Sequence, residues 1–253
     1  AATVVDPMKG GEMVVRRRSK PAETSPARTF RERYAAGKSL RGSCPRDAHA
    51  VWKAPAKRPD PVSLVLQAEK GRLAELLPLR HGRMVRSAFT FYRGAALTMA
   101  TDLASTPSTG LFVQCCGDAH LSNFGGFATP ERRVIFAIND LDETLPAPWE
   151  WDVKRLAASF VVGCRDNSLG VRVARNAAET CVRSYRRSMA EFAEMKTLEL
   201  WYLAMVLDEM VAAIKDPEIR RRGLDRLQKE RGVSIAEDVF PKLVQHKGDQ
   251  PLI

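Results

Sequence analysis

Apolar residues recur at helical spacing along most of the chain after residue 60. Residues 63–77, 87–104, 151–165 and 171–195 each place their apolar side chains at intervals of three and four, the pattern of one face of a helix. Residues 198–215 are apolar nearly all round, which predicts a central buried helix. We therefore predict a mostly helical protein.

Two short apolar runs interrupt this helical pattern. Residues 111–116 and 134–138 have the length of β-strands, and each leads directly into acidic residues. We expect two adjacent short strands within a helical body, with their following loops meeting at one site. The fold class predicted is α+β, mostly α-helical, with a few short strands at the site.

The first 60 residues differ from the remainder in charge and in proline content. They contain fourteen Lys and Arg against six Asp and Glu, whereas the remainder contains 26 against 24. We divide the chain into a basic, proline-containing arm at residues 1–60 and one lobe at residues 61–253. The positive charge of the arm is compatible with binding to nucleic acid or to another acidic partner. We favour a solvated, poorly ordered extension, because no aromatic residue interleaves the basic run RRRSK.

Composition narrows the class of protein. With 45% hydrophobic and 28% charged residues, the chain has the balance of a soluble globular protein. Its apolar runs are far shorter than the roughly 20 residues of a membrane span, so we expect no membrane partner. The N-terminus contains no secretory signal, and the five cysteines form no C-x-x-C pair. These features favour reduced thiols and a cytoplasmic location.

The residues after the two predicted strands carry the candidate chemistry. In GDAHLSN, Gly117 permits a left-handed backbone before Asp118, which offers a base or a metal ligand, and Asn123 offers an amide oxygen. After the second strand, Asp140 and Asp142 add carboxylate oxygens. Such a set of hard oxygen ligands suits Mg²⁺ better than zinc.

The segment CGDAHLSN resembles the H-G-D-x-H-x-x-N catalytic loop of aminoglycoside phosphotransferases and choline kinases, which belong to the protein-kinase-like superfamily. Asp118, His120 and Asn123 fall on the motif positions. INDLDE resembles the metal-binding Asp motif of the same superfamily, with Asp140 as its counterpart. PWEWDVKRLAAS is similar to the segment in which an Asp opens a helix behind the catalytic loop, and Asp152 takes that position.

A closer resemblance is to a bacterial family, domain of unknown function 2252. Its motifs F-x-R-G-A-A, G-D-A-H-L-x-N-F-G, N-D-F-D-E and P-W-E-W-D are matched between about residue 31 and about residue 165. This resemblance and the kinase-like one together imply the catalytic lobe of a kinase-like fold.

The resemblance also implies a function. It implies Mg²⁺-dependent transfer of a phosphoryl group from ATP to a hydroxyl of a small molecule or protein. Asp118 would accept the hydroxyl proton, with His120 beside it in the catalytic loop. Asn123, Asp140 and Asp142 would hold the metal. We also consider Arg93 a candidate phosphate or acceptor contact, since a guanidinium binds anions bidentately, although a structural ion pair is the simpler reading.

Two departures from the superfamily pattern keep other functions open. Cys116 replaces the His two places before the catalytic Asp, and no G-x-G-x-x-G precedes a Lys-bearing strand. The resemblance implies that the glycine-rich segment follows the catalytic loop, so we expect this chain to lack the nucleotide-binding lobe and to be a fragment of a permuted kinase-like protein. The alternatives are an inactive kinase-like binding or scaffold module and, less favoured, a metal-dependent phosphohydrolase.

Overall fold

A computed structural model describes residues 29–131, 133–231, 245–247 and 250–252. Helix α1 (Phe30–Ser43) begins at a capping box, in which the Thr29 hydroxyl accepts from the Glu32 backbone N–H and the Glu32 carboxylate accepts from the Thr29 backbone N–H. This helix lies inside the predicted basic arm, where the sequence pattern gave no helix. A short 3₁₀ helix follows at Arg46–Ala50. Residues 1–28 of the arm lie outside the described residues.

Four short helices replace the two longer ones predicted for residues 63–77 and 87–104. The first prediction was wrong because Gly71, with a φ of +89°, ends the helical path and a 3₁₀ turn follows it. Pro78 lies in the first turn of the next helix, where the missing N–H of proline costs no hydrogen bond. The helix predicted for residues 87–104 is interrupted at Ala95, so two shorter helices take its place. The four helices are α2 (Pro61–Ala68), α3 (Leu77–Met84), α4 (Ala88–Gly94) and α5 (Ala96–Leu103).

The strands form nested antiparallel hairpins. Strand β1 (Phe112–Cys115) pairs with β4 (Leu145–Pro148), and β2 (Phe124–Ala128) pairs with β3 (Val134–Ile138). The two predicted strands exist as β1 and β3, but the prediction that they are neighbours was wrong because each pairs with a strand that the sequence analysis missed. The inner hairpin is therefore inserted within the outer one, and residues 116–123 and 139–144 connect the two.

Two long helices match their predicted positions. Helix α6 (Glu150–Asp166) follows β4 directly, and α7 (Val171–Glu194) packs against it. The side chains of Arg155 and Ser159 on α6 are buried. A charged and a hydroxyl side chain at buried helix positions must be hydrogen-bonded, and the partners of both lie in the connection that follows β1.

The prediction of a central buried helix at residues 198–215 was wrong. Helix α8 (Thr197–Trp201) ends early, α9 (Leu207–Ala212) begins after a break, and the Trp201 and Tyr202 side chains are each 79% exposed. The remaining elements are α10 (Pro217–Arg231), β5 (Gln245–Lys247) and β6 (Gln250–Leu252). None of the described helices is long and apolar enough to cross a membrane. The fold is thus α+β, mainly helical, with short antiparallel strands.

Candidate functional site

The two connections between the hairpins meet at Asn123. Its side-chain Nδ2 donates to the backbone carbonyl of Asp118 at 3.1 Å and to that of Asp140 at 3.0 Å. Asn123 is 5% exposed, and its own carbonyl accepts from the Asn139 N–H at 3.0 Å. One buried amide therefore fixes both acidic segments against each other, and its nitrogen is used in doing so.

Gly117 makes the close approach of the two connections possible. Its φ is +80°, which glycine adopts without strain. A Cβ at this position would overlap the carbonyl oxygen of Glu143 in the facing connection. The backbone conformation predicted for Gly117 is therefore present, and the glycine is also needed for space.

The first turn of α6 holds the backbone before Asp118. The carboxylate of Asp152 accepts from the Cys116 N–H at 2.7 Å and from the Gly117 N–H at 3.1 Å. Two turns further on, the buried Ser159 hydroxyl accepts from the Leu121 N–H at 3.0 Å. Helix α6 therefore supports the loop of Asp118 from behind, with Asp152 in its first turn.

Asp118 itself forms a buried ion pair with Arg155. The guanidinium Nε donates to Asp118 Oδ1 at 2.9 Å, and Nη2 donates to the same oxygen. The Arg155 side chain is 3% exposed and that of Asp118 is 17% exposed. Burial alone would raise the pKa of Asp118, but the hydrogen bond from His120 and the charge of Arg155 lower it below its usual value.

Arg155 is in turn fixed by groups on α4 and α5. Its guanidinium donates to the Tyr92 carbonyl at 2.9 Å and lies over the Tyr92 ring, 4.5 Å from the centroid. The Tyr92 hydroxyl donates to the Arg155 carbonyl at 2.7 Å. Burial raises the pKa of Tyr92 to about 12, so this hydroxyl remains a donor at neutral pH.

His120 faces Asp118 from the other side. Its Nε2 is 3.4 Å from Asp118 Oδ2, and its ring packs edge-on against Phe89. The imidazole is nearly fully buried, and its Nδ1 has no hydrogen-bond partner among the described residues. Asp118 therefore has one oxygen held by Arg155 and the other directed toward the imidazole.

Asp140 and Asp142 lie at the solvent side of the site. Both are exposed, and Asp140 Oδ1 accepts from the Asp142 backbone N–H at 3.1 Å. Within the described ranges, no three His, Cys, Asp or Glu side chains are grouped closely enough to hold a metal ion by themselves. Carboxylate and amide oxygens are ligand types that Mg²⁺ takes, and this ion commonly keeps several waters and uses only one or two protein carboxylates.

Arg93 forms no hydrogen bond or ion pair with these groups in the described part of the chain. It occupies the last turn of α4 and is exposed. No ion pair joins it to a carboxylate in the part of the chain that the structure describes. The guanidinium beside Asp118 belongs instead to Arg155, which the sequence analysis did not single out. The available signal was the spacing of Asp152, Arg155 and Ser159, which places three polar groups on one face of α6.

These contacts define a mainly helical α+β protein in which two acidic connections are fixed to each other and to a supporting helix. The chain belongs to the bacterial family described as "Uncharacterized protein conserved in bacteria (DUF2252)", which matches residues 72–253. The family match begins later than the resemblance seen in the sequence, and it extends through the C-terminal helices. Neither a curated protein nor a solved structure matches the chain.

Proposed function

We propose that this chain carries the catalytic lobe of a kinase-like phosphotransferase, which uses Mg²⁺ to transfer the γ-phosphoryl group of ATP to a hydroxyl of a small molecule or protein. The observation that carries the proposal is the double hydrogen bond from Asn123 Nδ2 to the Asp118 and Asp140 carbonyls. It unites the candidate base with the candidate metal ligands. It also leaves the Asn123 amide oxygen as the atom that can bind a cation.

Asp118 is suited to orient an acceptor hydroxyl. Arg155 holds Oδ1, so the carboxylate cannot rotate freely, while Oδ2 can accept the hydroxyl hydrogen. The acceptor oxygen bonds to the γ-phosphorus, the bond from that phosphorus to the bridging oxygen of ADP breaks, and the hydroxyl proton passes to Asp118. The lowered pKa makes Asp118 a weak base. A weak base is sufficient here, because phosphoryl transfer depends mainly on the positioning of the acceptor hydroxyl and the phosphate.

Asn123, Asp140 and Asp142 would hold the magnesium ion. When bound, the cation supplies positive charge that neutralises the phosphate oxygens. The two exposed aspartates can reach a ligand without breaking an ion pair, because neither forms a salt bridge with a described residue. The chain's own contribution is thus a rigid loop pair that presents oxygen ligands beside an oriented carboxylate.

Nucleotide binding tests the proposal. Mg²⁺ with ATP is expected to raise the thermal unfolding temperature, since a ligand that binds only the folded state stabilises it, and EDTA should abolish the effect. Asp140→Asn should lose this protection. Asp225→Asn, which changes an exposed aspartate on α10, is the matched control and should keep it.

Turnover supplies a second measurement. Asp118→Asn should lower the rate of ADP formation from ATP by about 10²–10⁴-fold, which is the usual contribution of a general base. The variant should still bind Mg²⁺ and ATP. Absence of thermal protection in a folded native chain would contradict nucleotide binding. Equal protection in Asp140→Asn would contradict the assigned metal site.

A further inference from the structure

A cavity of about 450 Å³ lies between the chain around His49 and Trp52 and helices α4, α5 and α6. Its volume falls within the range of small-molecule sites. Most of its lining is apolar, with Phe91, Met99 and Val162 among the contributing side chains. The cavity can therefore bury the apolar body of a ligand.

An ion pair fixes the outer wall of this cavity. Arg58 donates from Nε to Asp102 Oδ1 at 2.7 Å and from Nη2 to Oδ2 at 2.8 Å, and its guanidinium lies 5.9 Å from the centre of the Trp52 ring. Both Asp102 oxygens are thus engaged by a cation. The carboxylate that lines the cavity is already neutralised, so it does not repel an anion strongly.

The remaining polar groups of the lining are incompletely paired. Lys154 Nζ donates to the Thr106 hydroxyl at 3.1 Å and forms no ion pair with a described carboxylate. The Thr98 hydroxyl oxygen and His49 Nδ1 are buried without hydrogen-bond partners in the same described part of the chain. These two atoms are enclosed by surrounding protein atoms, whereas Lys154 contributes to the surface of the cavity.

Lys154 is the cation that such a ligand would meet. Burial lowers the pKa of Lys154, whereas the nearby Glu150 and Cys44 act to raise it. Glu150 does not line the cavity, and its Oε1 accepts from the Thr109 N–H and hydroxyl at 2.7 Å each. Among the described lining residues, Lys154 is therefore a cation without an ion-pair partner, and the charge of Glu150 acts on it from outside the lining.

We propose that this cavity is a binding site for a small molecule with an apolar body and one carboxylate, which pairs with Lys154. A monocarboxylate fits better than a phosphate, because one partly buried ammonium can neutralise one negative charge and a second would remain desolvated. The site goes beyond the proposed phosphotransferase function and does not depend on it.

The cavity also adjoins the Asp118 site through shared side chains. Tyr92 and Met99 line it, and both contact the Arg155 guanidinium on their other side. Arg155 itself does not line the cavity. The two sites are therefore separate but have a common wall.

Isothermal titration of the native chain with decanoate tests the proposal. Saturable binding is expected, and Lys154→Met, which keeps most of the side-chain length, should weaken it by about 10-fold or more. Decanol, which lacks the charge, should bind the native chain and Lys154→Met equally weakly. Lys70→Met removes an exposed lysine outside the cavity and should leave decanoate binding unchanged.

A second variant tests the cavity apart from its charge. Ala88 is an exposed lining residue, so Ala88→Trp should block the cavity without disturbing buried packing and should abolish decanoate binding. Circular dichroism establishes that each variant is folded. The proposal is overturned if decanoate fails to bind the native chain, or if folded Lys154→Met or Ala88→Trp binds it with native affinity.

Discussion

Asp118 keeps its negative charge in a largely buried position because two side chains compensate for lost hydration. Arg155 donates to one carboxylate oxygen, and His120 faces the other. Their combined effect exceeds the opposing effect of burial, so the pKa of Asp118 lies below its usual value. The ionised pair therefore contributes stability above the unfolded-state pKa, and this contribution is lost as the pH falls through the lower folded-state pKa.

Arg155→Met should weaken this pH dependence. The variant leaves Asp118 with His120 but without its buried cation, so the pKa of Asp118 should rise toward its unfolded value and less stability should be lost as the pH falls. At neutral pH we expect a loss of about 3–5 kcal/mol, the usual cost of removing one partner of a buried pair. Urea unfolding between pH 3 and pH 7 and carboxyl-carbon NMR titration measure these effects.

The matched control removes an exposed pair of the same chemistry. Arg187 pairs with Glu191 on the surface of α7, and its side chain is 82% exposed. Arg187→Met should cost less than about 1 kcal/mol, since exposed pairs contribute little. A loss in Arg155→Met no larger than in this control would show that the buried pair does not stabilise the fold.

Gly117→Ala should destabilise the chain more than a change of backbone preference alone. The left-handed φ costs an L-residue about 1–2 kcal/mol, and overlap with the Glu143 carbonyl oxygen adds to that cost. Gly71→Ala is the control, because Gly71 also has a positive φ but has open space around its Cβ position. Denaturant unfolding should give the larger loss for Gly117→Ala, and equal losses would contradict the close approach of the two connections.

At the scale of elements, α6 acts as a support for the loop of Asp118. Asp152, Arg155 and Ser159 occur at positions i, i+3 and i+7, so all three lie on the helix face toward that loop. They bind backbone N–H groups at residues 116, 117 and 121 and the carboxylate of residue 118. The loop is therefore ordered by side chains of α6 and by Asn123 rather than by strand pairing.

Asp152→Ala should loosen one end of this loop selectively. The Cys116 and Gly117 N–H groups would lose their acceptor, so their hydrogen exchange should accelerate, with a stability loss of about 1–3 kcal/mol. The Leu121 N–H, held by Ser159, is an internal control and should keep most of its protection. Equal acceleration at all three amides would indicate global unfolding rather than a local anchor.

Strong periodicity predicted α6 and α7 well, and short apolar runs predicted β1 and β3. The failures occurred where local backbone chemistry overrides the apolar pattern. The helix predicted for residues 63–77 does not continue through Gly71, which has a positive φ. Strands β2 and β4 were missed because they contain glycines and prolines, respectively, which are uncommon in strands. The pairing of Asp118 with Arg155 depends on how α6 packs against the loop after β1, which the spacing of residues alone does not determine.

Charge is distributed unevenly over the whole molecule. The net charge is +10, and the first 60 residues hold fourteen basic against six acidic residues. Mutual repulsion among these charges opposes the compact state, and it acts over distances that salt can screen. The buried pair of Asp118 and Arg155 is screened far less, since solvent ions cannot approach it closely.

Raising the NaCl concentration from about 10 mM to about 150 mM should therefore stabilise the chain, because the screening length falls from about 30 Å to about 8 Å. A gain of 1 kcal/mol would raise the unfolding temperature by roughly 2–4 °C for a chain of this size, which calorimetry resolves. Lys38→Gln combined with Lys53→Gln removes two exposed positive charges and should reduce the salt effect. Lys38→Arg combined with Lys53→Arg preserves the charge and should not. An unfolding temperature that falls with added salt would mean that attractive surface pairs, rather than net repulsion, dominate the long-range electrostatics of this molecule.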